Sequence, residues 1–211
     1  MFQPKAALFD LDGVLIDTET TYTRIWDDIE KVFPTGIENF ALKIKGTTLP
    51  DILSTYFPEP TTQEKVMVLL RKSEDEMTYP LFDGVMRLLG ELREHGIPAA
   101  IVTSSGSEKM ARIAAEQPEF IGMFDAVVSD ADVTYSKPDP DPYLTGARKL
   151  EIKPCDCVVF EDSFAGMESG RRAGCKVIGI ATTNPRESIV GKADYIADSI
   201  DELTVAMLYD L

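Results

Sequence analysis

The chain has 211 residues, 36 acidic and 21 basic, and a formal net charge of −15. That length buries a substantial apolar core without disulfides, as one large domain or as a core with a small insertion. The charge excludes nucleic acid and anionic membrane as partners, since both need a basic footprint, and no apolar run approaches the ~20 residues of a membrane span.

Taken in order, Met-Phe-Gln-Pro-Lys runs directly into an apolar stretch, Ala6 to Phe9, so no secretory leader is expected and a cytoplasmic protein is. Ala6 to Phe9 reads as a buried strand that ends in two carboxylates one residue apart, Asp10 and Asp12, with Gly13 allowing an immediate turn. Residues two apart on an extended chain point the same way. The pair therefore suggests a magnesium site or an acid/base pair, while Asp-x-Asp-Gly also makes an ordinary turn.

From Thr18 to about Phe33 the pattern turns helical, with Tyr22, Ile25, Trp26, Ile29 and Phe33 near one face. Residues 34–60 carry Pro34, Gly36, Gly46, Pro50, Pro58 and Pro60 and read as irregular, apart from a short helix over Ile52 to Tyr56. Thr61 and Glu64 form a candidate capping box for a helix through Met77. Residues 18–81 are thus expected to be a helical insertion between two strands.

Helices over Asp83 to His95, Ser107 to Gln117, Pro142 to Leu150, Ala165 to Ala173 and Asp201 to Leu208 then alternate with strands. The strands are Ala99 to Val102, Ala126 to Val128, Cys157 to Phe160, Val177 to Ile180 and Tyr195 to Ala197. Pro142 stands at the favourable first position of its helix. Such alternation implies an α/β protein whose parallel sheet is covered on both faces. Cys155, Cys157 and Cys175 are too few and wrongly spaced for structural zinc, and buried reduced thiols are expected. His95, the only histidine, precedes Gly96 at a helix end and reads as structural.

Three further polar groups terminate or follow strand-like runs: Thr103 and Ser104 after Ala99 to Val102, Lys137 in Ser-Lys-Pro-Asp-Pro, and Glu161 with Asp162 after Cys157 to Phe160. Sites form at the carboxyl ends of parallel strands, where all four stretches lie. In this order, Asp10-Leu11-Asp12-Gly13-Val14, Thr103-Ser104-Ser105, Lys137-Pro138 and Glu161-Asp162-Ser163-x-x-Gly166 resemble the motifs of the haloacid-dehalogenase-like superfamily, in the branch of sugar-phosphate phosphatases and beta-phosphoglucomutase.

The resemblance implies a Rossmann-like core, residues 1–17 and 82–211, with residues 18–81 as a helical cap. It further implies a magnesium-dependent phosphomonoesterase that acts on a small phosphorylated metabolite, a sugar phosphate, through an aspartyl-phosphate, with no obligate protein partner. Asp10 would be the nucleophile, already ionised at neutral pH. The metal ligands would be the Asp10 carboxylate, the Asp12 carbonyl and Asp162, with Glu161 acting through water. Lys137, the Thr103 hydroxyl and the Ser104 amide would hold phosphoryl oxygens, and Asp12 would carry the proton. Charge repulsion from the rest of the chain decays over about 8 Å at physiological salt, so magnesium and Lys137 suffice to bind a phosphate. Tyr22 and Lys45-Gly46-Thr47-Thr48 would contact the substrate. The mutase branch has a histidine where this chain has Tyr22, and an arginine for the second phosphate where it has Leu49. That departure favours transfer to water, with mutase activity as the alternative.

Overall fold

The computed structural model describes residues 2–44 and 49–211. Strand β1 (Ala6–Phe9) leads to helices α1 (Thr18–Val32), α2 (Phe40–Lys43), α3 (Leu49–Tyr56) and α4 (Pro60–Asp75). There follow α5 (Val85–Glu94), β2 (Ala99–Val102), α6 (Ser107–Glu116), α7 (Pro118–Ile121), β3 (Ala126–Val128), α8 (Asp141–Lys149) and β4 (Cys157–Glu161). Helix α9 (Phe164–Ala173), β5 (Lys176–Ile180), α10 (Arg186–Ile189), β6 (Tyr195–Ala197) and α11 (Val205–Leu208) complete the chain. It divides into two compact units, Met1–Asp17 with Tyr79–Leu211, and Thr18–Thr78.

The larger unit is a six-stranded, all-parallel sheet in the order β3-β2-β1-β4-β5-β6. This is the Rossmann-like α/β architecture the alternation pointed to. The order reverses at β1, which pairs with β2 on one side and β4 on the other, so a crevice opens at their carboxyl ends. Alternate residues serve the two faces. Ala6, Leu8, Val102 and Val159 pack on one side with Tyr143 of α8 and Met167 of α9. On the other, Phe9 stacks on Phe160 at 4.2 Å and meets Phe124 edge-on at 6.2 Å, and Phe124 meets Phe120 of α7. Every residue of β1, β2 and β4 is buried, which is why these runs are apolar without alternation.

The unit Thr18–Thr78 has its own core, where Phe40 meets Trp26, Tyr56 and Phe57 edge-on among Ile25, Ile29, Val66 and Leu70. Within residues 34–60 the short helix expected over Ile52 to Tyr56 is present as α3, beginning at Leu49, and α2 is additional helix that the prolines and glycines do not suggest. Apolar side chains anchored in that core, Phe40 and Ile52 among them, outweigh local propensity.

Other local expectations are corrected. No capping box forms at Thr61 and Glu64, because α4 starts earlier, with Pro60 in its first turn and Glu59 at the N-cap without a side-chain bond. Likewise α8 begins at Asp141, one residue before Pro142. Residues 201–208 are not one helix: a 3-10 turn, Ile200–Glu202, and α11 are separated by extended Leu203 and Thr204. Arg87 of α5 donates to the carbonyls of Asp201 and Leu203, and Glu91 accepts from the Val205 amide, so those backbone groups leave the helical ladder. Cys157 and Cys175 are buried, but Cys155, in the turn before β4, is exposed. Among the described residues, no helix is long and apolar enough to cross a membrane.

Phe160→Ala removes the ring that joins β4 to β1 at the crevice. It should lower stability by about 3–5 kcal/mol in urea unfolding, with an unchanged far-UV spectrum at low denaturant.

Candidate active site

Lys137 organises the crevice. Its side chain is only 7% exposed, and its ammonium donates to Asp10 Oδ1 at 2.6 Å, Glu161 Oε1 at 2.7 Å and the Val102 carbonyl at 3.0 Å. One cation thus joins the ends of β1, β4 and β2. The loop that carries it is held by α9, where Ser169 donates to the Asp139 carbonyl and Arg172 to that of Pro138. The Lys137–Pro138 peptide is cis. Burial alone would lower the pKa of Lys137, but Asp10 and Glu161 reverse this and the net shift is upward, so the ammonium stays charged.

Glu161 is fully buried at the end of β4. Its Oε1 accepts from Lys137 and from the Tyr143 hydroxyl at 2.8 Å, and its Oε2 from the amides of Asp162 and Ser163 and the Ser163 hydroxyl. The same Ser163 hydroxyl caps α9 by accepting from the Gly166 amide. A Cβ on Gly166 would lie 1.6 Å from Glu161 Oε1, so only glycine admits the carboxylate there. Gly13, at φ +80°, plays the same part for Asp162, whose Oδ2 would stand 2.0 Å from an added Cβ.

Asp10, Glu161 and Asp162 offer oxygens within 4.8 Å of one another. Three carboxylates share one ammonium, an excess of two negative charges in a mostly buried place. Burial, then Glu161 and Asp162, raise the pKa of Asp10 well above the carboxylate range despite Lys137, which corrects the expectation that Asp10 is ionised at neutral pH unaided: its charged form needs a further cation beside it. Burial and Glu161 push Asp162 up to about 7. An all-oxygen donor set with surplus negative charge fits a hard divalent cation such as magnesium.

Asp12 goes elsewhere. Its Oδ1 accepts from Lys109 at 2.5 Å and its Oδ2 from the Ser105 hydroxyl at 2.9 Å. The two carboxylates of Asp10-Leu11-Asp12 therefore have different lysine partners. Thr103 is buried and its hydroxyl accepts from the Ser105 amide at 3.0 Å, while Ser104 is exposed at the bend beyond β2. The structure thus gathers Asp10, Lys137, Glu161 and Asp162 around one point and sets Asp12 beside Ser105. Tyr22 lies on α1 in the other unit, its hydroxyl donating to Glu74 at 3.0 Å. Lys45, Gly46, Thr47 and Thr48 lie outside the described residues.

A family model described as haloacid dehalogenase-like hydrolase matches residues 7–180. The chain belongs to that family. It is 32% identical to hexitol phosphatase A of Escherichia coli strain K12, over 95% of this chain and 94% of that one. It is 28% identical to beta-phosphoglucomutase of Bacillus subtilis strain 168, over 98% and 94% respectively. Among solved structures, a HAD family hydrolase from Deinococcus radiodurans R1 with bound phosphate and sodium has the same fold, with a TM-score of 0.81 at 23% identity, over 98% of this chain and 96% of that one.

The motifs of this haloacid dehalogenase-like enzyme missed four side chains at the site. Tyr143 reads in the sequence as one more residue on the buried face of α8, and nothing marks its hydroxyl as a donor to Glu161. Thr183 and Asn184, in the turn after β5, bond the Asp162 side chain and carbonyl, yet read as an ordinary polar loop. Lys109 did leave a signal: it is a cation in the first turn of α6, where the helix dipole disfavours one.

Two outcomes follow from the packing and charge of the site. Gly166→Ala must displace Glu161, so urea unfolding should show a loss of about 1–3 kcal/mol. Between the ordinary Asp value of 3.8 and about 7, residue 162 is ionised in the unfolded chain but protonated in the fold. The fold then binds more protons, and stability falls as pH rises. With EDTA present, wild type should lose stability relative to Asp162→Asn from about pH 4 to 7, levelling above, in thermal unfolding followed against pH.

Proposed function

We propose that this hydrolase is a magnesium-dependent phosphomonoesterase that cleaves a small phosphorylated metabolite, a sugar or sugar-alcohol phosphate, through an aspartyl-phosphate on Asp10. The observation that carries the reading is the Lys137 ammonium bound to both Asp10 and Glu161, with Asp162 in the same 4.8 Å cluster. Hexitol phosphatase A, similar over nearly the whole chain, supports the substrate class.

Asp10, Asp162 and the Asp12 carbonyl would hold magnesium, with Glu161 ordering Lys137 and reaching the metal through water. When bound, magnesium supplies positive charge between a carboxylate nucleophile and a phosphate dianion and polarises phosphoryl oxygens. An Asp10 oxygen attacks phosphorus, the bond from phosphorus to the alcohol oxygen breaks, and that oxygen leaves with the electron pair and takes the proton carried by Asp12. Lys137, the Thr103 hydroxyl and the Ser104 amide steady the charge on the equatorial oxygens. Water then attacks phosphorus and gives its proton to Asp12, and the bond from phosphorus to Asp10 breaks, restoring the carboxylate.

We assign the choice of alcohol to the unit Thr18–Thr78 as a cap, with Tyr22 and the segment 45–48 as substrate contacts. Leu49, where the mutase branch has arginine, supports water as the acceptor.

The test is a panel of hexitol, hexose and glycerol phosphates with magnesium or with EDTA. Phosphate release should require magnesium, and Asp10→Asn should reduce turnover by on the order of 10³-fold or more while remaining folded by far-UV circular dichroism. Near wild-type release by pure Asp10→Asn overturns the covalent route. An isomerised sugar phosphate in place of free phosphate would establish the mutase reading.

A further inference from the structure

We infer that Lys109 is a positioning residue for Asp12: with Ser105 it fixes the orientation of the carboxylate that exchanges a proton with the leaving alcohol. The inference rests on the role of Asp12 in the phosphatase reading above.

Asp12 lies just beyond β1, on a loop that turns at once at Gly13, so no strand or helix of its own orients its side chain. With 34% of that side chain exposed, packing does not confine it either. What holds it is a pair of donors reaching in from the chain after β2. Lys109 takes Oδ1 at 2.5 Å, and Ser105 takes Oδ2 at 2.9 Å. Two donors on the two oxygens of one carboxylate oppose rotation of its plane, which a single ion pair does not.

Lys109 stands in the first turn of α6, three residues after the N-cap Gly106, where a cation opposes the helix dipole. The dipole therefore does not favour a lysine at this position, whereas the Asp12 contact does. Its ammonium also lies over the Tyr79 ring, 6.0 Å from the centroid. Ser105 is itself placed by its amide, which donates to the buried Thr103 hydroxyl. The two donors are thus referred to β2 and α6, and they transmit that position to Asp12. Proton transfer tolerates little misplacement, because donor and acceptor must come within hydrogen-bond reach in the reacting geometry. The pair is only partly exposed, its side chains 25% and 34% accessible, so solvent screens it incompletely.

The test uses the full enzyme with magnesium and two esters. Sorbitol 6-phosphate, or whichever alkyl phosphate of the panel turns over fastest, has a leaving oxygen that needs a proton. In p-nitrophenyl phosphate the leaving phenolate does not. Because kcat/KM reports the steps through departure of the alcohol, the alkyl-to-aryl ratio isolates proton delivery. Lys109→Met should lower that ratio on the order of tenfold to a hundredfold, through kcat/KM on the alkyl ester, and Lys109→Arg should restore most of it. Ser105→Ala should move the ratio in the same direction by less. An equal loss of kcat/KM on both esters, or an unchanged ratio, overturns the inference, and thermal unfolding of each variant separates these from misfolding. Asp12→Asn is the control. If it does not lower the ratio, the reading of Asp12 fails and takes the inference with it; if it does and Lys109→Met does not, the inference alone fails.

Discussion

A buried ammonium among buried carboxylates is the constraint on which the larger unit depends. Lys137 reaches the ends of three adjacent strands, through Asp10 beyond β1, the Val102 carbonyl of β2 and Glu161 of β4. Isolated charges in such a place are unstable, and each here is stabilised by donors that the surrounding fold must supply. Glu161 illustrates how complete that supply is, with Lys137, Tyr143, Asp162 and Ser163 all donating to it. Several features of the unit follow from this need: glycine at position 166, the Ser163 cap of α9, and Tyr143 buried on α8.

Even so, the charges do not balance. Three carboxylates face one ammonium, and burial drives Asp10 and Asp162 toward their neutral forms. Such a site is incompletely satisfied by protein alone. The same surplus that weakens the fold at neutral pH favours a hard divalent cation, so affinity and instability have one source. This is the physical link between the packing of the sheet's switch point and the chemistry assigned to it.

The site also separates two carboxylates that the chain places almost side by side. Asp10 turns toward Lys137 and the carboxylate cluster, while Asp12 turns toward Lys109 and Ser105. In the proposed reaction the two have different requirements, since the nucleophile must be poised on phosphorus and the proton carrier on the leaving oxygen. Giving each its own lysine, one from the first turn of α6 and one from the loop before α8, lets the fold orient them independently.

The sequence by itself determined the strands, their parallel alternation with helices, and the ends at which polar groups must collect. Four-residue apolar runs such as Ala6–Phe9 and Ala99–Val102, each followed by polar residues, have little alternative to a buried strand with a wet end. It also made Asp10, Lys137, Glu161 and Asp162 candidates, because local motifs carry them in the order of the strands. Tertiary structure alone decided what long-range contacts govern. Propensity could not reveal that Phe40 would hold a helix in a segment rich in proline and glycine, or that Arg87 and Glu91 would interrupt the chain at Leu203. Nor could spacing show that Tyr143 and Lys109 belong to the site, because each reaches its carboxylate from a different element, Tyr143 from α8 to the end of β4 and Lys109 from α6 to the loop after β1. Side chains that act across the sheet leave no periodic mark in the chain, since their partners are set by how the strands and helices pack and not by distance along the sequence.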